Sequence, residues 1–292
     1  MTPKWLDREA YPFEPRWLQT PDGRMHYIDE GRGPAVVMVH GTPTWSFLYR
    51  HLIGGLRGRY RVIAPDHLGF GLSEKPPGAG YRPADHANRL RLLIDTLRLE
   101  DVALVVHDFG GPIGLSYAIE QPDNAAALVL FNTWMWRLEG NPDIERASEF
   151  FGGRLGQFLY RRLNFAPRVL VKAAWGRRAA LAAAVHRHYM KPFGSAGERE
   201  APATLPRELI ASGDWFDDLW RRREAIRDKP ALLIWGLRDP AFGAPFLDRW
   251  EAIFSGVRTI RLAEAGHFVP DEAGQEVVPD VRSFLDNTVR RT

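Results

Sequence analysis

Short apolar runs alternate with segments of helical period over residues 1–132, and again over 229–292. Ala35-Val-Val-Met-Val39, Val102-Ala-Leu-Val-Val106, Ala125-Ala-Ala-Leu-Val-Leu-Phe131 and Ala231-Leu-Leu-Ile-Trp235 are apolar throughout. Such runs predict strands covered on both faces. Residues 24–30 alternate apolar and polar after a turn at Pro21-Asp-Gly23, which predicts a half-buried strand. Residues 60–65 and 257–262 read as two more strands, and residues 1–20 as an irregular, proline-containing lead-in. Helical periodicity falls at about 45–56, 83–99, 112–119, 246–254 and 276–289. Strands alternating with helices imply a mainly parallel sheet with helices on both faces. From Thr133 to Asp228 the pattern changes. No strand is recognisable there, and arginine-rich amphipathic segments carry many aromatics. The chain therefore divides into a core, 1–132 with 229–292, and an inserted helical cap, 133–228.

The most informative stretch is Val102-Ala-Leu-Val-Val-His-Asp-Phe-Gly-Gly-Pro-Ile-Gly-Leu115. A buried strand ends at His107-Asp108, two glycines follow, and a helical pattern begins at Pro112. A strand that turns sharply into a helix lifts the residue at its tip above the carboxyl edge of the sheet. Here that residue is Asp108. A glycine turn of the dinucleotide-binding type, or an aspartate N-cap, has similar spacing. The rest of the chain favours the first reading, because other chemical groups follow strand ends as well. His40-Gly-Thr-Pro43 follows one strand, Asp239 in Trp235-Gly-Leu-Arg-Asp-Pro240 another, and His267 in Ala263-Glu-Ala-Gly-His-Phe268 the last. A parallel sheet does its chemistry outside the carboxyl ends of its strands. The chain order is acidic nucleophile, acid, histidine.

Composition narrows the alternatives. Of 292 residues 45% are hydrophobic, enough for a large buried core. Lys and Arg total 39 against 36 Asp and Glu, and the small arginine excess reads as spread along the chain, so no nucleic-acid partner is expected. Cysteine is absent, which removes disulfides, thiolate metal sites and a cysteine nucleophile. No apolar run approaches the ~20 residues of a membrane span, and residues 1–8 have no apolar signal core. A cytoplasmic protein without a membrane partner is the expectation. His51, His86, His186 and His188 lack carboxylate or histidine partners at metal-ligand spacing, so no metal is expected. No cofactor is expected either.

On these motifs the whole chain resembles the α/β-hydrolase fold, with a helical cap inserted after the sixth strand. The aspartate at the elbow resembles the haloalkane dehalogenase and epoxide hydrolase branch. His40-Gly-Thr-Pro-Thr-Trp45, Asp66-His-Leu-Gly-Phe-Gly-Leu-Ser73, His107-Asp-Phe-Gly-Gly-Pro-Ile-Gly114 and Asp239-Pro-Ala-Phe242 are most like haloalkane dehalogenases. The resemblance implies a mostly parallel eight-stranded sheet flanked by helices. It implies hydrolysis of haloalkanes to alcohol plus halide through an aspartyl ester, with a small apolar substrate, water and halide as partners. A monomer or small homo-oligomer fits it.

The residue type agrees with the chemistry. A serine attacking saturated carbon would leave an ether, whereas Asp108 would leave an ester that water can cleave. His267 would be the base for that water, and Asp239 would orient the imidazole. The backbone N–H groups of Thr42 and Phe109 would form the oxyanion hole. Two positions depart from the family. A tryptophan normally follows the nucleophile and donates its indole N–H to the halide. Here Phe109 has no such donor. The family's asparagine after His-Gly is Thr42. Thr42, Trp134, Trp136 and Trp175 are therefore the candidate leaving-group donors. An epoxide hydrolase, with Tyr160 or Tyr189 as proton donor, is the alternative enzyme. A hydrolase-fold protein that binds a ligand with little turnover is the alternative outside enzymes. His107 is expected to support the elbow and Asp66 to order its loop. Asn132 cannot be the acid, which leaves that role to Asp239.

Overall fold

The structure, a computed structural model, describes residues 3–177, 181–254 and 256–289. Its centre is one eight-stranded sheet in the order β1-β2-β4-β3-β5-β6-β7-β8. The strands are β1 (Arg16–Thr20), β2 (Gly23–Glu30), β3 (Ala35–Val39), β4 (Arg61–Pro65), β5 (Val102–Asp108), β6 (Ala125–Thr133), β7 (Ala231–Gly236) and β8 (Arg258–Leu262). β1 and β2 pair antiparallel at one edge, and β2 pairs antiparallel with β4. All other pairings are parallel. Seven of these strands follow from the apolar pattern. β1 does not, because its residues Arg16 to Gln19 are mostly solvent-facing and carry no apolar run.

The core helices are α1 (Arg50–Leu56), α2 (Pro83–Thr96) and α3 (Gly110–Glu120) in the first half. Between β6 and β7 come α4 (Pro142–Gly152), α5 (Arg154–Leu163), α6 (Val171–Ala173), α7 (Ala183–Met190), α8 (Glu200–Ala211), α9 (Gly213–Arg221) and α10 (Glu224–Arg227). Among the described residues this insertion contains no strand. The chain then adds α11 (Ala244–Glu251), α12 (Val269–Glu272) and α13 (Gly274–Thr288). The helix expected over 45–56 is split. Ser46–Tyr49 is a 3-10 turn, and α1 starts only at Arg50.

Side chains of β5 alternate between the two faces of the sheet, as a period of two requires. Leu104 and Val106 join one apolar layer, and Ala103 and Val105 the other. All seven residues of β5 are buried. β3 hydrogen-bonds β4 on one side and β5 on the other. The chain leaves β3 towards β4 and later returns on the far side through β5, so the order of strands reverses here. Helices cross opposite faces at such a point and a crevice opens above the strand ends. The residues at the two ends are His40-Gly-Thr42 and Asp108.

Candidate active site

β5 passes into α3 with only Phe109 between them. That reversal holds Asp108 at φ +54°. The left-handed region costs a non-glycine residue on the order of 1 kcal/mol, so the surroundings must enforce it. Two contacts do so. The Thr133 hydroxyl donates to the Asp108 carbonyl oxygen at 2.6 Å. Gly110 lies so close to β3 that a Cβ there would overlap the Val39 carbonyl. The carboxylate itself is fixed by the Thr42 N–H, which donates to Oδ1 at 2.7 Å.

The other oxygen faces His267. Asp108 Oδ2 lies 3.5 Å from His267 Nε2, and His267 Nδ1 lies 2.8 Å from Asp239 Oδ2. All three side chains are buried. Burial opposes a charge on His267, but Asp239 and Asp108 outweigh it and raise its pKa to about 10. Burial would raise the Asp239 pKa, yet the His267 charge and its hydrogen bond hold it below the ordinary value. The two carboxylates that flank the imidazole favour its protonated form. The structure thus brings together the three groups the sequence singles out from the ends of β5, β7 and β8.

Three positioning residues have weak sequence signals. Asn132 donates from Nδ2 to Asp239 Oδ2 at 2.8 Å and accepts from the Gly236 N–H at 2.8 Å. It lies at the end of β6, where the motif reading only excluded it as an acid. Glu272 accepts from the Gly266 and Phe268 amides on either side of His267, at 2.9 and 3.0 Å. It also accepts from Gly176 and Arg177 in the insertion, at 3.0 and 3.2 Å. One carboxylate thereby ties the histidine loop to the segment after Trp175. Nothing in a lone glutamate at the end of a four-residue helix announces this. His107, whose Nε2 is 2.8 Å from the His267 carbonyl oxygen, supports that loop from below. Asp66 accepts from the amides of Ser46 and Leu72 and pairs with His26, so it does order its loop.

The leaving-group candidates separate. Thr42 Oγ1, Trp134 Nε1 and Trp175 Nε1 are buried with no hydrogen-bond partner among the described residues. A buried donor without an acceptor is costly unless something else supplies one. Trp134 packs edge-on against Phe109, ring centroids 4.8 Å apart, and against Phe242 at 4.7 Å. Phe242 in turn lies 5.7 Å from His267. Trp175 stacks on Phe268, directly after the histidine. Trp136 is placed differently. It sits among Trp220, Phe246 and Trp250 with the Arg249 guanidinium 4.5 Å from its ring, a packing role.

The two tyrosines separate as well. The Tyr189 hydroxyl donates to Asp271, which also pairs with Arg50 at 2.7 Å. It is occupied in holding α7 to the core. Tyr160 is buried in α5, and its hydroxyl pKa is raised by burial and then by the charge of Asp108. No hydrogen bond of its hydroxyl is seen among the described residues. Among those residues no cluster of His, Cys, Asp and Glu is placed to hold a metal ion. No helix of the described residues is long and apolar enough to cross a membrane.

Four buried histidines around the site are uncharged for a physical reason. His40 and His67 stack at 4.3 Å, and His67 and His86 at 4.8 Å. Burial, reinforced for His67 by His40 and His86, pushes all three pKa values down. Burial and then His267 push His107 down to about 3. In the unfolded chain these rings take up protons below about pH 6.5. The folded state disfavours their protonation, so the stability these four rings contribute is complete above that pH and falls as pH drops towards the folded values. Each such ring contributes a slope of about 1.4 kcal/mol per pH unit. The melting midpoint should therefore fall steeply between about pH 6 and 4. His107→Gln should flatten that slope, and a midpoint that stays level over this range would refute the account.

The α/β-hydrolase fold family matches residues 34–273. The chain is 37% identical over 273 residues to haloalkane dehalogenase 2 of Mycobacterium bovis, covering 93% of this chain and 94% of that protein. It is 32% identical to the cis-3-alkyl-4-alkyloxetan-2-one decarboxylase of Shewanella oneidensis, covering 95% and 90% of the two chains. The crystal structure of haloalkane dehalogenase DatA from Agrobacterium tumefaciens C58 superposes with a TM-score of 0.84 at 24% identity, over 94% of this chain and 96% of that one. The last likeness speaks for the fold alone. The family match and the identities over nearly full length decide the rest: the chain belongs to the α/β-hydrolase fold family and, within it, to the haloalkane dehalogenases.

Proposed function

We propose that this enzyme hydrolyses small haloalkanes to alcohol and halide through an ester on Asp108. The arrangement Thr42–Asp108–His267–Asp239 carries the proposal. The free Asp108 oxygen attacks the carbon bearing the halogen. The carbon–halogen bond breaks and its electron pair leaves with the halide. The carboxylate needs no base for this step. Ester formation then removes one of the two negative charges that raise the His267 pKa, so the ring releases its proton more readily and becomes the base. Water attacks the ester carbonyl while His267 Nε2 takes its proton, and the Thr42 and Phe109 amides receive the developing oxyanion. The intermediate then collapses and the bond from the acyl carbon to the alkyl oxygen breaks. His267 returns the proton to the departing alcohol oxygen, and the Asp108 carboxylate is restored. Asp239 stabilises the imidazolium that forms. We assign the leaving halide to Trp134 Nε1 and Thr42 Oγ1, with Trp175 Nε1 as a further donor. The helices over 133–228 act as a cap that keeps this displacement out of bulk water.

Phe109 removes the donor nearest the nucleophile, so good leaving groups should be favoured. Halide release from 1-iodobutane and 1-bromobutane should exceed release from 1-chlorobutane by more than about tenfold, the loss of one charge-assisted hydrogen bond. Phe109→Trp should raise chloride release. Equal rates for all three halides would remove the basis for this assignment.

A second reading is favoured by Tyr160, whose hydroxyl feels the Asp108 charge. An oxygen leaving group, in an epoxide or a four-membered lactone ring, needs a proton donor rather than a halide site. The decarboxylase relatives add weight to the lactone. Under this reading Tyr160→Phe suppresses ring opening and leaves halide release intact.

A further inference from the structure

The arginine excess is not spread evenly along the chain. Between Glu149 and Glu198 the sequence has nine Lys and Arg and no Asp or Glu, although the net charge of the chain is only +3. This acid-free stretch begins in α4, takes in α5 and α6, and runs through α7. The exposed apolar side chains cluster in its first part. Of eight large hydrophobics exposed among the described residues, five are Phe150, Leu155, Phe158, Leu163 and Val169.

Helix α5 shows how the two features combine. At 100° per residue, Leu155, Phe158 and Leu163 share one broad arc with Arg154 and Arg162. That arc is the solvent side. Leu155 is 60% and Phe158 54% exposed, while Gly156 and Tyr160 on the opposite side are buried. Arg154, Arg162, Arg168 and Lys172 form no ion pair among the described residues and are exposed. A surface depression of about 550 Å³ lies next to them, lined by Arg168, Val169, Lys172, Ala173 and Leu181. Exposing this much apolar surface beside unneutralised cations is costly in water unless a partner covers it. The partner must be negatively charged and must accept aliphatic side chains into an apolar layer. The headgroup region of an anionic bilayer does both. A single-stranded nucleic acid supplies the charge, but bases stack on aromatic rings and have no use for Leu155, Leu163 or Val169.

We propose that the outer face of α5, with Arg168 and Lys172 after it, docks this enzyme reversibly on an anionic lipid surface. The opposite face of the same helix carries Tyr160, whose hydroxyl feels the Asp108 charge. Docking would set the insertion between the nucleophile and the phase in which apolar substrates accumulate. The claim concerns binding and does not depend on which substrate is turned over. It also revises the expectation of no membrane partner, which rested on the absence of a spanning segment.

The test is co-sedimentation of the full chain with sucrose-loaded vesicles of phosphatidylcholine, with or without about 30% phosphatidylglycerol. Binding should appear with the anionic vesicles and be at least tenfold weaker with the neutral ones. It should fall steeply in 0.5 M salt, where charges are screened beyond about 4 Å. Arg154→Glu with Arg162→Glu should weaken it by roughly fivefold or more per site. Leu155→Asp and Phe158→Asp should each weaken it at least tenfold with an unchanged melting midpoint, since both side chains already face solvent. Four outcomes overturn the proposal. These are no binding, equal binding to both vesicles, parental binding by the Leu155 and Phe158 variants, and tighter binding to single-stranded RNA than to vesicles.

Discussion

His267→Gln releases about one equivalent of halide per chain and then stops, with the alkyl group retained on Asp108. This is the expected result if the two chemical steps use different groups. Displacement at saturated carbon needs only the ionised Asp108 carboxylate, whose position the Thr42 amide fixes at 2.7 Å. Ester hydrolysis needs a proton acceptor, and His267 Nε2, 3.5 Å from Asp108 Oδ2, is the one facing the ester. Asp108→Ala should remove even the first turnover, a loss of about 10⁴-fold or more, the scale seen when a nucleophile is deleted. Asp239→Asn should slow hydrolysis about 10³- to 10⁴-fold while leaving alkylation intact, because the histidine loses its orienting carboxylate. Mass spectrometry of the His267→Gln protein after substrate exposure reads the ester directly. An unmodified Asp108 together with continuing product formation would mean that water attacks the substrate carbon itself, and the covalent route would be wrong.

Gly41→Ala should be nearly as damaging, though it removes no functional group. A Cβ at position 41 would overlap both Oδ1 and Cβ of Asp108. The nucleophile cannot retreat, because Asp108 is already held at φ +54° and its carbonyl accepts from Thr133. The clash therefore pushes the carboxylate off the Thr42 amide and away from His267. A displacement of about 1 Å at a reacting group costs on the order of 100-fold. Loss of the oxyanion donor adds about 10²- to 10³-fold to the hydrolysis step. Gly54→Ala is the matched control, since its added Cβ meets nothing within 4 Å. Single-turnover rates of the two variants, with melting midpoints measured alongside, decide the matter. Parental rates in Gly41→Ala would show that the crowding seen at the elbow does not constrain the nucleophile.

The sequence by itself determined seven strands of the sheet, the elbow and the groups that follow the strand ends around Asp108. Each rests on a local pattern. A strand buried on both faces needs an apolar run, as in β3, in Val102–Val106 of β5 and in Ala231–Trp235 of β7. A turn without room for side chains must carry small residues. Groups that follow strand ends in a parallel sheet converge on one edge whatever the loops do. Strand β1 escaped because an exposed edge strand has no apolar face to write into the sequence.

Only the tertiary structure decided which side chains support the site. Asn132 and Glu272 act across 107 and 6 residues of chain respectively, through hydrogen bonds that leave no spacing pattern. Trp134, Trp136 and Trp175 are equivalent as letters. Packing leaves the indole N–H groups of Trp134 and Trp175 buried without an acceptor among the described residues and sets the Arg249 guanidinium over the Trp136 ring. Tyr160 and Tyr189 are likewise distinguished only by Asp271, which engages one hydroxyl and not the other. Backbone periodicity records where a residue is buried. What a buried polar atom faces depends on segments far away in the chain, and that is settled only when the layers close.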